Sequence, residues 1–264
     1  MNIVVCVKQV PGTTNVDVDP VTGILKRDGI SSKMNPYDLY ALELALSLAS
    51  ATNGTVRTIT MGPPQAQDVL AETLFMGADN AVLISDPRFG GADVSSTAYT
   101  LSQALHVLGN YDLILCGKQT TDGDTAQVGG ELAEFLNIPQ TGYVAEIKEI
   151  TESGLVIQSN MEDSIQTEYL PLPCLLCVDS NINTPRLPSY QKKKALGNIA
   201  NRIQKFTLED FQDKNETHYG IVGSPTQVEQ IFPPTKNDEK EIYRDSVKTM
   251  AQQLFSLLSR LKFI

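Results

Sequence analysis

No apolar run in this 264-residue chain approaches the ~20 residues that a membrane-spanning helix needs. Basic charge is also scarce. Lys and Arg number 21 against 31 Asp and Glu, a net charge of -10. Binding to nucleic acid depends on neutralising phosphates with a basic surface, so that class of partner is excluded. The acidic balance suits solubility and basic protein partners, and fixes no function. The usual phosphate loops are missing, since neither GxxxxGK[ST] nor GxGxxG occurs. There is no nucleophile elbow and no HExxH. His106 and His218 stand alone and receive no role. The N-terminus opens on a strand-like run, NIVVCVKQV, without a signal-peptide layout, so a cytoplasmic location is expected. The four cysteines, Cys6, Cys116, Cys174 and Cys177, then count as reduced thiols. Cys174 and Cys177 form a CxxC inside YLPLPCLLCV, which reads as a strand. Residues three apart on a strand face opposite sides, and no second CxxC or nearby histidine completes a zinc set. The pair is read as structural.

What is present is an alternation of strand and helix patterns over the first 136 residues. Strands are expected at Ile3–Val10, Thr55–Met61, Ala81–Ser85 and Tyr111–Cys116, each short, apolar and partly β-branched. The first helix pattern starts at Asn35-Pro36, an N-cap followed by proline at the first helical position. The second runs from Pro64 to Met76 and is ended by Gly77. The third starts near Asp93 or Ser95. The fourth starts at Asp124 or Thr125 and carries the stripe Val128, Leu132, Phe135, Leu136. Such alternation implies an α/β fold: an open, mostly parallel sheet with helices on both faces. Tyr143–Ile150, Leu155–Met161 and Thr167–Val178 read as antiparallel strands that extend it. From Asp179 the chain turns tail-like, broken by prolines. It ends in an amphipathic helix whose stripe, Val247, Met250, Leu254, Leu257, Leu258 and Leu261, must be buried against its own domain or another chain. Two domains are expected, 1–180 and an arm over 181–264.

One polar stretch sits at a junction where ligands bind. CGKQTTDGDTAQVGG, residues 116–130, follows an apolar strand and opens the fourth helix. In open parallel sheets, ligands lie beyond the carboxyl ends of the strands. A helix start offers unpaired N–H groups and the positive end of the dipole. Gly117 and Gly123 permit close backbone approach. Thr120, Thr121, Thr125 and Gln127 can donate to phosphate, ribose or a heterocycle. Asp122 or Asp124 caps the turn or accepts from a ribose hydroxyl, and helix capping without any ligand is the competing reading. The residues themselves point to a nucleotide-like ligand at the sheet edge and no further.

Several segments together are similar to the β subunit of electron-transfer flavoproteins. They are VVCVKQVP at 4–11, VDPVTGILKRDG at 18–29, MNPYD at 34–38, MGPPQ at 61–65, MGAD at 76–79, the stretch above, and NTPRLPS at 183–189. The resemblance covers most of residues 1–190. It implies a heterodimer with an FAD-bearing α subunit, wrapped by the C-terminal arm. It places the β-site ligand against Cys6, Asn35, Pro36, Tyr37, Asp38 and Met61. The rest of that implied site is the loop Gly117, Lys118, Gln119, Thr120, Thr121, Asp122, Gly123, Asp124, Thr125, Ala126, Gln127 and Val128. The ligand is AMP in simple members and FAD in electron-bifurcating ones. DGDTAQVGG, and DPVTGILKR with its Arg27, resemble the bifurcating type. In that type NADH reduces the β-site FAD. Ferredoxin or flavodoxin takes one electron, and a flavin dehydrogenase takes the other through the α-subunit FAD. Lys8, Arg27 and Asp122–Val128 are expected to shape the flavin and NADH region, with no side chain as acid, base or nucleophile.

The chain departs from the family at two places. VIQSNMEDSIQTEYLPLP lacks an expected basic residue, and PRLPSYQKKK is short, with Leu187 the nearest match to the partner-docking leucine. The second departure admits a lactate (2-hydroxyacid) dehydrogenase or an enoyl-CoA reductase beside the acyl-CoA dehydrogenases. The rival readings are a non-bifurcating subunit with structural AMP and a non-redox nucleotide-binding regulatory domain. An adenylating enzyme is disfavoured, because VKQVPGTTN replaces its SGGxD loop.

Overall fold

The computed structural model describes residues 1–12, 32–227, 240 and 242–264. Arg27 and the segment around it lie outside the described residues. Two compact units are present, Met1–Glu229 and Gln230–Ile264.

The first unit holds all the strands found among the described residues. They are β1 (Asn2–Cys6), β2 (Gln9–Pro11), β3 (Ser32–Met34), β4 (Thr55–Met61), β5 (Asn80–Ile84), β6 (Leu113–Gly117), β7 (Gln140–Ile150), β8 (Gly154–Asn160), β9 (Ile165–Pro171), β10 (Cys174–Val178) and β11 (Ile203–Phe206). Its helices are α1 (Pro36–Thr52), α2 (Gln67–Met76), α3 (Val94–Leu108), α4 (Val128–Leu136) and α5 (Tyr190–Leu196). Nine strands form one sheet in the order β11-β5-β4-β1-β6-β10-β7-β8-β9, while β2 and β3 pair separately. From β11 to β7 every pairing is parallel; β8 and β9 add an antiparallel edge.

The central strands are apolar on both sides because helices cover both faces. Ile3 and Val5 of β1, with Leu113 and Leu115 of β6, pack beneath α1 and α2. Val4, Ile114 and Leu175 point the other way, under α3 and α4. Cys174 lies in the first core and Cys177 in the second, as strand alternation requires.

Three segments differ from the sequence expectation. The strand expected at Ile3–Val10 ends at Cys6, and Gln9–Pro11 turns into the β2–β3 hairpin. The strand expected at Thr167–Val178 divides at Leu172-Pro173, since proline cannot continue the ladder; β10 then inserts between β6 and β7. The region after Asp179, read as tail-like, returns to the sheet: Ile203–Phe206 pairs in parallel with Ala81–Ile84.

In the second unit, α6 (Val247–Arg260) starts at Ser246, whose side chain accepts from the Thr249 amide. None of its residues is buried, and Val247, Leu254, Phe255 and Leu261 are exposed. No helix among the described residues is long and apolar enough to cross a membrane.

Candidate functional site

The strand order places a crevice. From β1 the chain passes through α1 to β4 and through α2 to β5, all on one side; α3 then returns it to β6 on the other side of β1. The direction of winding therefore reverses between β1 and β6. Crevices at the carboxyl ends of such strands are where open α/β sheets bind ligands. The segments gathered there are the turn after β1, the first turn of α1, and the long loop between β6 and α4.

Asn35 and Asp38 join these three segments. Asp38 Oδ2 accepts from the Lys8 amide at 2.8 Å, and Oδ1 accepts from Asn35 Nδ2 at 2.9 Å. Asn35 Nδ2 also donates to the Gln119 carbonyl at 2.9 Å, and its Oδ1 accepts from the Thr121 amide at 3.2 Å. Both side chains are buried. Burial pushes the Asp38 carboxyl up to about 7, against the lowering effect of its hydrogen bonds from Asn35 and Lys8. Gly117 makes the junction possible. A Cβ there would stand 2.5 Å from Asp38 Oδ1 and 2.6 Å from the Tyr37 carbonyl carbon. Its lack of a side chain thus admits α1 against the end of β6.

The loop is tied at several points and open between them. Lys8 Nζ pairs with Asp122 Oδ1 at 2.8 Å, bridging the two sides of the crevice. Partial burial acts to raise Asp122, but the Lys8 contact and hydrogen bonds from Thr120 and the backbone together hold the carboxyl below its usual range. Lys118 Nζ reaches Asp179 Oδ1 at 3.1 Å and lies 5.6 Å from the Tyr37 ring centroid. Gln119 Nε2 donates to Asp124 Oδ1 at 2.5 Å. Asp124 and Ala126 take left-handed backbone angles, φ 54° and 56°. Alanine is uncommon in that region, and such strained residues cluster at ligand sites. Residues 121–127 are exposed.

Helix α4 begins at Val128, later than the Asp124 or Thr125 start expected from sequence. Both aspartates are engaged elsewhere, and the left-handed angles interrupt a helix. The N-cap is Gln127, whose side chain makes no capping bond. The first turn of α4 therefore has no side-chain cap from its N-cap residue. Neither Asp122 nor Asp124 is the cap of α4. Gly129 lets α4 lie directly on β10: a Cβ there would collide with Cys177 Sγ. Cys6, Cys116 and Cys177 lie at or one residue before the ends of three neighbouring strands, on this face. Contact with Cys116 and burial push the Cys177 thiol up, which keeps it neutral. No group of three metal-ligating side chains occurs among the described residues.

The family model of the electron transfer flavoprotein domain matches residues 22–210. The electron transfer flavoprotein subunit beta of Clostridium acetobutylicum is 40% identical over 264 residues, covering all of both chains. That of Thermoanaerobacterium thermosaccharolyticum is 41% identical, covering 98% of each. The caffeyl-CoA reductase-Etf complex subunit CarD of Acetobacterium woodii is 41% identical, again over 98% of each chain. The chain belongs to the electron transfer flavoprotein β-subunit family. Subunits of this family pair with an α subunit, and the resemblance to the bifurcating type extends to CarD.

In this flavoprotein subunit, the structure brings Lys8, Asn35, Pro36, Tyr37, Asp38 and the Gly117–Val128 loop to one crevice. Cys6 ends β1 beside them, and Met61 ends β4, the neighbouring strand. Leu187 lies elsewhere, on a segment fastened to α1 through Arg186 and Glu43. Sequence reasoning missed Asp179 as the partner of Lys118. It follows β10, and nothing in the sequence places β10 beside β6. That reasoning read Asn35 as a cap and a ligand neighbour, but did not foresee that its side chain bonds the Gln119 carbonyl 84 positions away.

Proposed function

We propose that this chain is the β subunit of a heterodimeric, electron-bifurcating flavoprotein and that its β1/β6 crevice holds FAD. The carrying observation is the uncapped start of α4 after the loop at the sheet's switch point, a loop that the Lys8–Asp122 pair ties to the turn after β1. The residues fit a dinucleotide. The α4 amides suit a pyrophosphate, the loop threonines suit hydroxyl or heterocycle contacts, and Cys6 and Met61 offer a less polar wall. When bound, FAD supplies hydride uptake from NADH and one-electron delivery to ferredoxin or flavodoxin and, through the α-subunit FAD, to a lactate- or acyl-CoA-type flavin dehydrogenase. The chain's own part is binding and orientation. Lys8 places a cation at the mouth of the crevice, and Asp38 with Asn35 fixes the loop that the ligand meets. Residues 181–264 supply the partner-recognition loop, with Leu187, and the arm that wraps the α subunit. Val247, Leu254 and Leu261 of that apolar stripe are exposed, which supports that role for the arm. The resemblance of DGDTAQVGG to the bifurcating type, together with the likeness to CarD, favours FAD over structural AMP.

The test is nucleotide content. The heterodimer is denatured and its FAD and AMP are quantified by chromatography. Two FAD per heterodimer support the proposal; one FAD with one AMP makes the protein a simple carrier. Gly123→Leu sharpens the test. Near Gly123 only Thr120 Oγ1 lies within reach of an added Cβ, at 3.6 Å, so folding is expected to survive while the β-site nucleotide is lost. Unchanged content in that variant would place the ligand elsewhere.

A further inference from the structure

Three of the four cysteines stand side by side across the sheet. Cys177 is the register partner of Cys116, and Val5 pairs with Leu115, which puts Cys6 opposite Cys116 at the next position. All three side chains lie on the α3 and α4 face, whereas Cys174 lies on the other. The Cys116 thiol is hydrogen-bonded to those of both Cys177 and Cys6. Neighbouring strands run about 4.8 Å apart, and a disulfide joins Cα atoms about 4.4–6.8 Å apart, so the spacing of the sheet suits a bond between Cys6 and Cys116. Cys6 is the last residue of β1 and Cys116 the last but one of β6, where few ladder bonds resist a small adjustment.

The three thiols differ in access. Cys116 and Cys177 are buried, and Cys6 is half-buried. The hydrogen bond with Cys177 acts to lower the Cys116 thiol, but contact with Cys6, burial and the Asp38 carboxyl raise it well above its usual range. A neutral, buried thiol is a poor first target for an oxidant, and a partly exposed one is reachable. Buried cysteines often serve as small apolar fillers. This row differs in that one member is reachable and the next stands within bonding span. Cys6 also ends β1 at the crevice, two positions before Lys8. In the reading above, a bound nucleotide lies against it and covers it.

We propose that Cys6 and Cys116 form a redox-active dithiol in the wall of the crevice, which hydrogen peroxide converts to a disulfide when the nucleotide is absent. This rests on the crevice reading and adds to it a modification site that distinguishes an empty subunit from a loaded one. The Cys6 sulfur attacks one oxygen of the peroxide. The O–O bond breaks, one water leaves, and Cys6 becomes a sulfenic acid. The Cys116 sulfur then attacks the Cys6 sulfur. The S–OH bond breaks, and the hydroxide leaves with the Cys116 proton as a second water. Two electrons pass in all from the pair of thiols to the peroxide. Reduced flavins release hydrogen peroxide when they meet dioxygen, so the oxidant arises where a flavoprotein works.

The experiment uses the purified heterodimer in three forms: wild type, Gly123→Leu, and Gly123→Leu with Cys6→Ser. Each is treated with hydrogen peroxide, denatured in N-ethylmaleimide and digested with trypsin without reduction. Cleavage after lysine and arginine puts Cys6 in peptide 1–8, Cys116 in 89–118, and Cys174 with Cys177 in 149–186, so mass spectrometry assigns each bond. FAD and AMP are quantified in the untreated samples. Peptide 1–8 should become linked to 89–118 several-fold faster in Gly123→Leu than in the wild type, and not at all with Cys6→Ser. Peptide 149–186 should carry two alkyl groups in every form. Dimedone, which traps sulfenic acids, should label peptide 1–8 and lower the yield of the linked pair. No linked pair and no dimedone label in a Gly123→Leu heterodimer that lacks the β-site nucleotide overturns the dithiol and leaves the crevice reading standing. A link between 89–118 and 149–186 in its place overturns the pairing. Equal rates in a loaded wild type and an empty variant overturn the control by nucleotide. A wild type without β-site nucleotide strikes at the crevice reading instead, and the linked pair must then form as fast there as in Gly123→Leu for the dithiol to stand.

Discussion

Asp38 is the buried carboxyl on which the crevice converges, and replacing it with asparagine tests that geometry. Its two oxygens accept from the Lys8 amide and from Asn35 Nδ2. Burial raises the group from 3.8 to about 7. At about 1.4 kcal/mol per unit, the folded chain disfavours the ionised form by about 4 kcal/mol relative to the unfolded chain. A carboxyl whose folded value exceeds its unfolded one contributes stability that is complete below the unfolded value. That contribution is lost as pH rises through the folded value. The wild type should therefore lose stability between about pH 4 and 7 from this group, by up to about 4 kcal/mol. Asp38→Asn preserves the shape and removes the titration. Its amide nitrogen must face one of two donors, at a penalty of about 1–3 kcal/mol. The variant should be less stable than the wild type at pH 5 and should close the gap, or reverse it, at pH 8. Urea unfolding of the full-length chain, followed by circular dichroism at pH 5, 6, 7 and 8, gives both curves. The burial-raised Glu72 titrates in the same direction in both proteins, so their difference isolates Asp38. A variant that keeps the full decline of the wild type between pH 5 and 8 would refute the argument.

Three other substitutions probe supports at the site and elsewhere in the fold. Gly129→Val drives a side chain into Cys177 Sγ and should cost about 1–3 kcal/mol, read as a lower urea midpoint at unchanged slope. Glu43→Gln breaks the two-pronged hold on Arg186, so trypsin should cut after Arg186 several-fold faster while the fold, by circular dichroism, stays the same. Asp213 is held low, at about 2, by His218 and by Tyr99. A depressed carboxyl contributes stability above its unfolded value that is lost as pH falls through its folded value. Asp213→Asn should therefore remove part of the stability present at pH 5 and flatten its decline from pH 4 to 2, measured by thermal unfolding.

The parts of the fold that sequence made legible are those with local causes. The strand expected at Thr55–Met61 is β4 residue for residue, bracketed by Gly54 and Gly62. α1 begins at Pro36 and α2 gives way at Gly77, where proline and glycine enforce it locally. The parts that were hidden have distant causes. β11 is a four-residue strand, too short for alternation to mark, and it exists because β5 offers an open edge. β10 is continuous with β9 in pattern, and only the three-dimensional order puts it between β6 and β7. The late start of α4 belongs to the same group. Asp122 and Asp124 look like caps in sequence, but Lys8 and Gln119 claim them.

The candidate loop was visible because its chemistry is contiguous, whereas its conformation was not, because both of its ends are set by contacts remote in sequence. Gly117 anchors one end by letting α1 press against β6, and Gly129 anchors the other by letting α4 rest on Cys177. Between these fixed points the chain is held by Asn35 at Gln119 and Thr121, and by Lys8 at Asp122. Each tie comes from a different strand-end or helix start, so the loop conformation is determined by the sheet before any ligand arrives. Left-handed angles at Asp124 and Ala126, costing of order 1–3 kcal/mol each, persist only under such over-determination. The folded scaffold thus meets in advance the ordering entropy that a ligand would otherwise have to supply, which is the condition for tight binding by a loop with no phosphate-binding signature of its own.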